Sequence, residues 1–375
     1  MIRYCSSCIL PDTRPNLMID SDGVCNACKS HGQKINIDWI NRENLFSKVV
    51  QNAKSRSKGY DCIVPVSGGK DSTWQVVKCL EYGLNPLGVT WRTPARTILG
   101  QDNLDNLVSL GVDHIDYTIN PKVEAKFLLE SLEKYGATAI PMHMAMFSIP
   151  TKIATQFDIP LVVWGENSAF EYGGTKDEMK GFKLDREWLK KFGVTQGTTA
   201  KDWISDNLTK KELTPYFMPT EKEINKSGLL AIFMGYYFPW DVEISLKVAK
   251  ENGFNVRKEG PKLGYYNYAD IDCDFMSIHH WLKWYKFGFT RLMDNLSLEI
   301  RNDRMNRDEA LKILIKEGVK IPMSDIEKFC KFVNISKRNF FSICEKFRNK
   351  DIWKQNTQGN WRINNFVVNN WEWDK

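Results

Sequence analysis

Between residues 61 and 165 the chain alternates short strand-like runs, most of them apolar, with longer stretches in which apolar residues return every three or four positions. The runs DCIVPV (61–66), PLGVTW (86–91), DHIDYTI (113–119) and IPLVVWG (159–165) read as strands. STWQVVKCLEYG, QDNLDNLVSLG, KVEAKFLLESLEKYG and AMFSIPTKIATQF read as helices. In the first of these, Thr73, Val76, Val77 and Leu80 share a face, and Gly83 is placed to cap the helix C-terminus. A further helix over NRENLFSKVVQNAKS leads into the first strand. Strands alternating with helices of these lengths predict α/β architecture: a doubly wound parallel sheet with helices on both faces.

The pattern changes after about residue 175. GGTKDEMKGFKLDREWLKKFGVTQGTTAKDW carries charge and glycine without strand alternation and reads as an inserted segment. YYFPWDVEISLKVAKENGF is helical again, and the last third reads as helices with short joins. Asn306 with Glu309, and Ser324 with Glu327, have capping-box spacing ahead of apolar runs. The first 35 residues are rich in turns and cysteine and have no long period. Three units follow: 1–35, 36–215 and 216–375. No internal repeat and no low-complexity tract is present.

Composition adds three constraints. A length of 375 residues allows two or three domains. The net charge of +6 suits an anionic small molecule or RNA without requiring either. The longest apolar stretch, LLAIFMGYYFPW, is too short to span a bilayer, and MIRYCSSC lacks the layout of a signal peptide, so a cytoplasmic location without membrane contact is expected. Nine cysteines, four of them in the first 28 residues, point in a reducing compartment to metal before disulfides.

VSGGKDST (66–73) directly follows the first strand. A P-loop requires a glycine five residues ahead of its Gly-Lys pair and a hydroxyl immediately after the lysine. Here Asp71 follows Lys70, and no glycine stands five residues before Gly69. What remains is a strand, a glycine turn and a helix N-terminus, whose N–H groups make a concave nest for anions. Gly68 and Gly69 admit close approach, Ser67, Ser72 and Thr73 offer hydroxyls, and Lys70 adds a cation. Asp71 fits phosphate chemistry only by holding Mg²⁺, which bridges carboxylate and phosphate. The plainer alternative is a ligand-free turn between strand and helix, for which one cap residue would suffice.

CSSC (5–8) and CNAC (25–28) are separated by sixteen residues. That spacing fits a closed tetrahedral site, so Cys5, Cys8, Cys25 and Cys28 are read as ligands of structural zinc, with disulfides or free thiols as the alternatives. In VVWGEN the apolar strand ends in Glu166 and Asn167, which places both at the carboxyl edge of the sheet, where doubly wound folds bind ligands. An ordinary strand-end turn is the other reading. GVTWRTP, with Thr90, ends another strand at the same edge and is placed to frame a nucleotide. Residues 270–310 interleave His279, His280, Lys283, Lys286, Arg291, Arg301 and Arg304 with aromatics. Taken alone this segment reads first as a solvated amphipathic helix; it could also meet the phosphates of a nucleotide-linked substrate or an RNA backbone. None of the nine cysteines lies in a Gly-x-Cys-x-Gly elbow or at the mature N-terminus, so glutamine-derived ammonia would have to come from another subunit.

VSGGKDST resembles the PP-loop signature of the ATP pyrophosphatase superfamily, whose members adenylate a substrate and release pyrophosphate. In order along nearly the whole chain, YCSSCILPDTRPN, GVCNAC, VSGGKDST, LVVWGENSAFEYGG and WLKWYKFGFTRLMDNLSLEIRNDRMNRDEA resemble the N-acetyl sugar amidotransferase family. The resemblance implies an adenine nucleotide alpha hydrolase-like sheet flanked by the four-cysteine module and a helical C-terminal region, with ATP, Mg²⁺ and structural zinc as cofactors. It implies a nucleotide-activated sugar substrate whose acetamido group becomes acetamidino, for bacterial surface polysaccharide (O-antigen) or flagellar sugars. The ammonia source it implies is a glutaminase subunit and a cyclase-like barrel subunit similar to those of imidazole glycerol phosphate synthase; no nucleic acid partner is implied. On this reading the Ser67–Thr73 loop holds pyrophosphate, Asp71 binds Mg²⁺, Glu166 and Asn167 border the reacting centre, and Lys286 and Arg291 meet phosphates. The rival enzyme is a tRNA-modifying synthetase of thiolation or lysidine type, although a mid-chain Cys-x-x-Cys to carry sulfur is missing. A zinc-bearing scaffold that binds nucleotide without turnover is the rival of another class.

Overall fold

The computed structural model describes residues 2–165, 171, 189 and 194–373. Its centre is a parallel sheet of β1 (Cys62–Pro65), β2 (Pro86–Trp91), β3 (Asp113–Tyr117), β4 (Leu161–Trp164) and β5 (Leu230–Phe233), in the order β3-β2-β1-β4-β5. Ile63 of β1 is in register with Leu87 on one side and Val162 on the other. The strand order reverses between β1 and β4, so the carboxyl ends of these two strands flank the crevice in which doubly wound sheets bind ligands.

Both faces of the central strands are covered, which is why β1, β2 and β4 read as continuous apolar runs, whereas the edge strand β3 is part-exposed and alternates charged and apolar residues. On one face Ile63, Leu87, Val89, Val162 and Trp164 pack against α5 (Pro121–Tyr135) and α6 (Ala139–Gln156), with Phe127 and Ile140 fully buried between them. On the other, Cys62, Val64, Leu161, Val163 and Ile232 meet α2 (Trp39–Arg56), α3 (Lys70–Glu81), α4 (Ile98–Val108) and α7 (Val242–Glu251). Gly83, at φ +68°, ends α3 as its position in the sequence predicts. α6 starts six residues earlier than its apolar period suggests. Pro141 sits in its first turn, where no backbone N–H is needed, and Pro150 lies inside the helix, leaving the Met146 carbonyl without its helical donor.

The C-terminal region contains α8 (Phe275–Phe287), α9 (Arg291–Arg301), α10 (Arg307–Glu317), α11 (Met323–Val333), α12 (Lys337–Lys346) and the hairpin β6 (Trp353–Gln355) and β7 (Trp361–Ile363). The N-terminal module, with its helix α1 (Asn26–Gly32), packs directly on this region. Ile9, Leu10, Leu17 and Ile19 share one core with Leu292, Met293, Leu296, Leu314, Trp353 and Phe366. Thr13 Oγ1 donates to Phe287 O (2.6 Å), Arg307 Nε to Cys8 O (3.2 Å), and Arg14 pairs with buried Asp294 (2.8 Å).

Three sequence expectations change. The sheet runs on past residue 215, because β5, within the apolar run LLAIF, hydrogen-bonds to β4 along Leu161–Trp164. The Asn306–Glu309 capping box forms, but Ser324 lies inside α11, whose N-cap is Pro322, and Glu327 pairs with Lys337 instead. α8 is not a solvated helix: none of its residues is exposed, and its apolar side packs with α11 and α12 around Phe329 and Phe340.

Candidate active site

The turn after β1 is shaped by its glycines. Gly68 sits at φ +80°, and a Cβ there would lie 2.6 Å from Leu104 N and 2.9 Å from Gly100 O. Gly69 is the N-cap of α3 in extended conformation, and no side chain caps the helix. The loop's hydroxyls are used to fix its own shape: Ser72 Oγ and Thr73 Oγ1 both donate to Gly69 O (3.0 and 3.1 Å), and Gly69 N–H donates to Ser67 Oγ (3.3 Å). The positive end of the α3 dipole is thereby turned towards the crevice, an arrangement suited to anionic oxygens. Gly68→Ala adds both the left-handed strain and the collision with α4. We expect it to cut turnover at least tenfold, checked by steady-state rates beside a melting curve.

Lys70 does not reach into the crevice. Its buried side chain lies over the rings of Trp240 (5.3 Å) and Tyr268 (5.9 Å), with Nζ 2.6 Å from Asp71 Oδ1. Trp240 Nε1 donates to the same oxygen (3.1 Å), which leaves Asp71 Oδ2 without a partner among the described residues. Thr90 Oγ1 donates to Val66 O (2.6 Å) and lies 2.8 Å from His114 Nε2. With its proton committed, the hydroxyl accepts from the ring, which sets the Nε2–H tautomer of His114 and ties the ends of β1, β2 and β3 together.

A cavity of about 350 Å³ opens at this edge. Of the residues expected from sequence, Ser67, Asp71, Ser72 and Thr90 line it, while Gly68, Gly69, Lys70 and Thr73 build the loop beneath. Its apolar wall comes from Trp91, Met142, Met146, Phe147, Pro150 and Trp164. The remaining wall comes from the far end of the sequence. Residues 271–273 run beside the start of α4: Arg96 and Cys273 form a β-bridge, Thr97 N–H donates to Asp272 O (3.1 Å), and Thr97 Oγ1 donates to Ile271 O. This placement brings Asp270, Asp272 and Cys273 to the cavity.

Lys286 and Arg291 do not line the cavity. Lys286 Nζ donates to Tyr135 O (3.2 Å), and Arg291 stands behind the wall, paired with Asp270 (3.0 Å). Among the described residues, the cation that does line it is Arg96, held in bidentate geometry by Asp116 (2.7 and 2.7 Å). The sequence signal for Arg96 was its place just after β2, at the carboxyl edge. Glu166 and Asn167 lie outside the described residues. A larger groove of about 660 Å³ lies away from this edge, between Trp284, Trp361 and Trp373. It brings together none of the loop's chemistry, so the smaller cavity is the candidate site.

The electrostatics of the wall are divided. Burial works against the charge on Asp270, but Arg291 and His280 outweigh it and hold the carboxyl well below its usual range. Burial pushes Asp272 up to about 6, although the Ser67 hydroxyl donates to it. Burial also raises the Cys273 thiol to about 12, so it is no thiolate near neutral pH. Since the folded value for Asp272 exceeds the unfolded one, its stabilising contribution is full below about 4 and is lost as pH rises through about 6. Asp272→Asn should therefore raise Tm at pH 8, and the gain should shrink as pH falls from about 6 towards 4, as thermal melts across pH will check.

At the other end of the chain the four cysteine sulfurs lie within 4.8 Å of one another, with Sγ–Sγ distances of 3.8 Å (Cys8–Cys25) and 4.0 Å (Cys5–Cys28). Tetrahedral zinc with bonds of about 2.3 Å sets its sulfurs about 3.8 Å apart. The N–H groups of Cys8 and Cys25 point at Cys5 Sγ (3.4 and 3.2 Å), as they would at a thiolate. Burial works against the charge on Arg301, but attraction from the thiol cluster holds it, so this guanidinium can balance a dianionic zinc–thiolate centre. The donor set fits structural zinc.

Residues 264–367 match the family described as LPS biosynthesis protein WbpG-like, C-terminal domain. No curated protein matches the chain. Among solved structures, NMN synthetase from Francisella tularensis aligns over 81% of this chain and 96% of its own, at 12% identity and a TM-score of 0.32, too low to carry an argument about the site. Among the described residues, no helix is long and apolar enough to cross a membrane. The matched part of the chain, which includes the segment that closes the cavity, is similar to the WbpG-like C-terminal domains of LPS biosynthesis proteins, and this supports the resemblance to the N-acetyl sugar amidotransferase family.

Proposed function

We propose that this protein is an ATP-dependent amidotransferase that converts the acetamido group of a nucleotide-activated sugar to acetamidino, in the synthesis of bacterial surface polysaccharide. The observation that carries the reading is the composite cavity. Its floor is an anion nest at the β1–β4 switch point, and its far wall is the Asp270–Cys273 segment of the WbpG-like region. An amide oxygen is a poor leaving group. Moving AMP onto it, with loss of pyrophosphate, turns it into a good one, and ammonia then displaces AMP at carbon. The nest and Arg96 would neutralise phosphate charge, and the apolar wall would exclude water from the activated amide. Asp71 would hold Mg²⁺, which would supply charge neutralisation at the phosphates. Glu166 and Asn167, next in sequence after β4, are the residues assigned to the reacting centre. Ammonia would come from a separate glutaminase and cyclase-like barrel pair.

The test is incubation with ATP, Mg²⁺, ammonium and UDP- or CMP-linked acetamido sugars. Mass spectrometry should find a sugar with NH in place of O, together with AMP and pyrophosphate. ADP and orthophosphate as products would overturn the activation step. The thiolation alternative is disfavoured by Cys273, the cysteine on the cavity wall, because its protonated thiol is a poor sulfur carrier.

A further inference from the structure

His143, on α6, lines the cavity and was not among the residues singled out by sequence. Its Nδ1 lies 2.8 Å from Ala139 O, one turn back on the same helix. A carbonyl only accepts, so Nδ1 carries the ring proton and Nε2 carries a lone pair. That second nitrogen has no hydrogen-bond partner among the described residues. The ring is held between Phe147 (centroids 6.3 Å) and His279 of α8 (6.3 Å).

We infer that His143 Nε2 is the proton acceptor for the attacking ammonia, an inference that rests on the proposed amidotransferase reading. The balance of that reaction requires one acceptor. Amide, ATP and NH₃ give amidinium, AMP, pyrophosphate and one proton. A C–N bond forms to the activated carbon, one N–H of the incoming nitrogen breaks with its proton passing to Nε2, and the C–O bond then breaks with its electron pair leaving on AMP. Two properties suit the ring to this task. Burial, reinforced by Lys283, moves His143 below the usual histidine range, so it stands unprotonated at neutral pH. Its other titratable neighbours are His279 on α8 and, on the cavity walls, Asp71, Arg96, Asp270 and Asp272. Burial also keeps His279 well below its usual range, so it does not compete as a second cation.

The test uses the full chain with ATP, Mg²⁺, an acetamido sugar nucleotide and ammonium, with rates compared at equal free NH₃. His143→Asn keeps a donor for Ala139 O but has no basic nitrogen. The expected result is amidine formation lowered by about 10²–10⁴-fold, substrate-dependent pyrophosphate–ATP exchange within a few-fold of wild type, and partial rescue by added imidazole. An unchanged amidine rate would overturn the assignment. So would equal loss of exchange and amidine formation, which would mean a structural role only. If this variant does not fold, the wild-type pH profile decides: the amidine step must lose rate on an acid limb below the usual histidine pKa, and a flat profile rejects His143. Absence of any AMP formation by the wild-type protein would instead remove the amidotransferase reading itself.

Discussion

Cys8→Ser is expected to abolish zinc binding at the N-terminal site and to melt the module together with the helices that cover it. Cys8 is fully buried, its sulfur is 3.8 Å from that of Cys25, and its carbonyl accepts from Arg307 at the start of α10. The surrounding core is shared: Ile9 and Leu10 lie against Leu292, Met293 and Leu296. Zinc held by thiolates contributes on the order of 10 kcal/mol to the folding of small modules, which is comparable with the whole stability of an ordinary domain. Serine cannot replace a thiolate here, and buried Arg301 would be left facing a depleted anion. Elemental analysis should find zinc bound stoichiometrically to the wild type and lost from the variant, and the variant should melt well below the wild type. Wild-type protein that purifies free of zinc from metal-replete medium, with an unchanged melt for the variant, would rule the structural metal out.

Asp71→Ala should lower AMP and pyrophosphate formation by about 10²–10³-fold, the scale on which one charge-positioning group acts in a closed site. The carboxylate is the meeting point of Lys70 and Trp240, and Asp71 lines the cavity together with Ser67 and Ser72. On the proposed reading its removal would cost a ligand for Mg²⁺, and it would also free the Lys70 ammonium from its place over the Trp240 ring. Asp71→Asn separates the two effects, because the amide oxygen still accepts from Trp240 without carrying charge. Both variants should keep their zinc, since the four-cysteine module is remote in sequence and packs on the C-terminal helices instead. Turnover within a few-fold of wild type in Asp71→Ala would remove this residue from the site.

β1, β2 and β4 were legible as short apolar runs, because burial on both faces leaves no polar alternation in them; β3, part-exposed at the sheet edge, alternates charged and apolar residues and was legible from the helices of clear period on either side of it. β5 was hidden because LLAIF passes at once into the aromatic run MGYYFPW, which blurs its end. The loop at 66–73 announced itself through local chemistry. The wall opposite could not, because Asp272 reaches Ser67 only after two hundred intervening residues have folded, and no periodicity records that meeting. That Lys286 and Arg291 stand off the cavity was hidden for the same reason. Their charge is visible in the sequence, but the partners that engage them, Tyr135 O and Asp270, are set by tertiary packing.

The shared core of residues 9–19 and 292–366 also bears on how the molecule is made. At ordinary translation speeds roughly half a minute separates the two segments on the ribosome. Through that interval the cysteine-rich module is without the helices that later bury it, so metal capture by the nascent chain would keep its thiolates in shape and protect them from oxidation. Starving cells of zinc during synthesis should therefore do more harm than removing it from the finished protein.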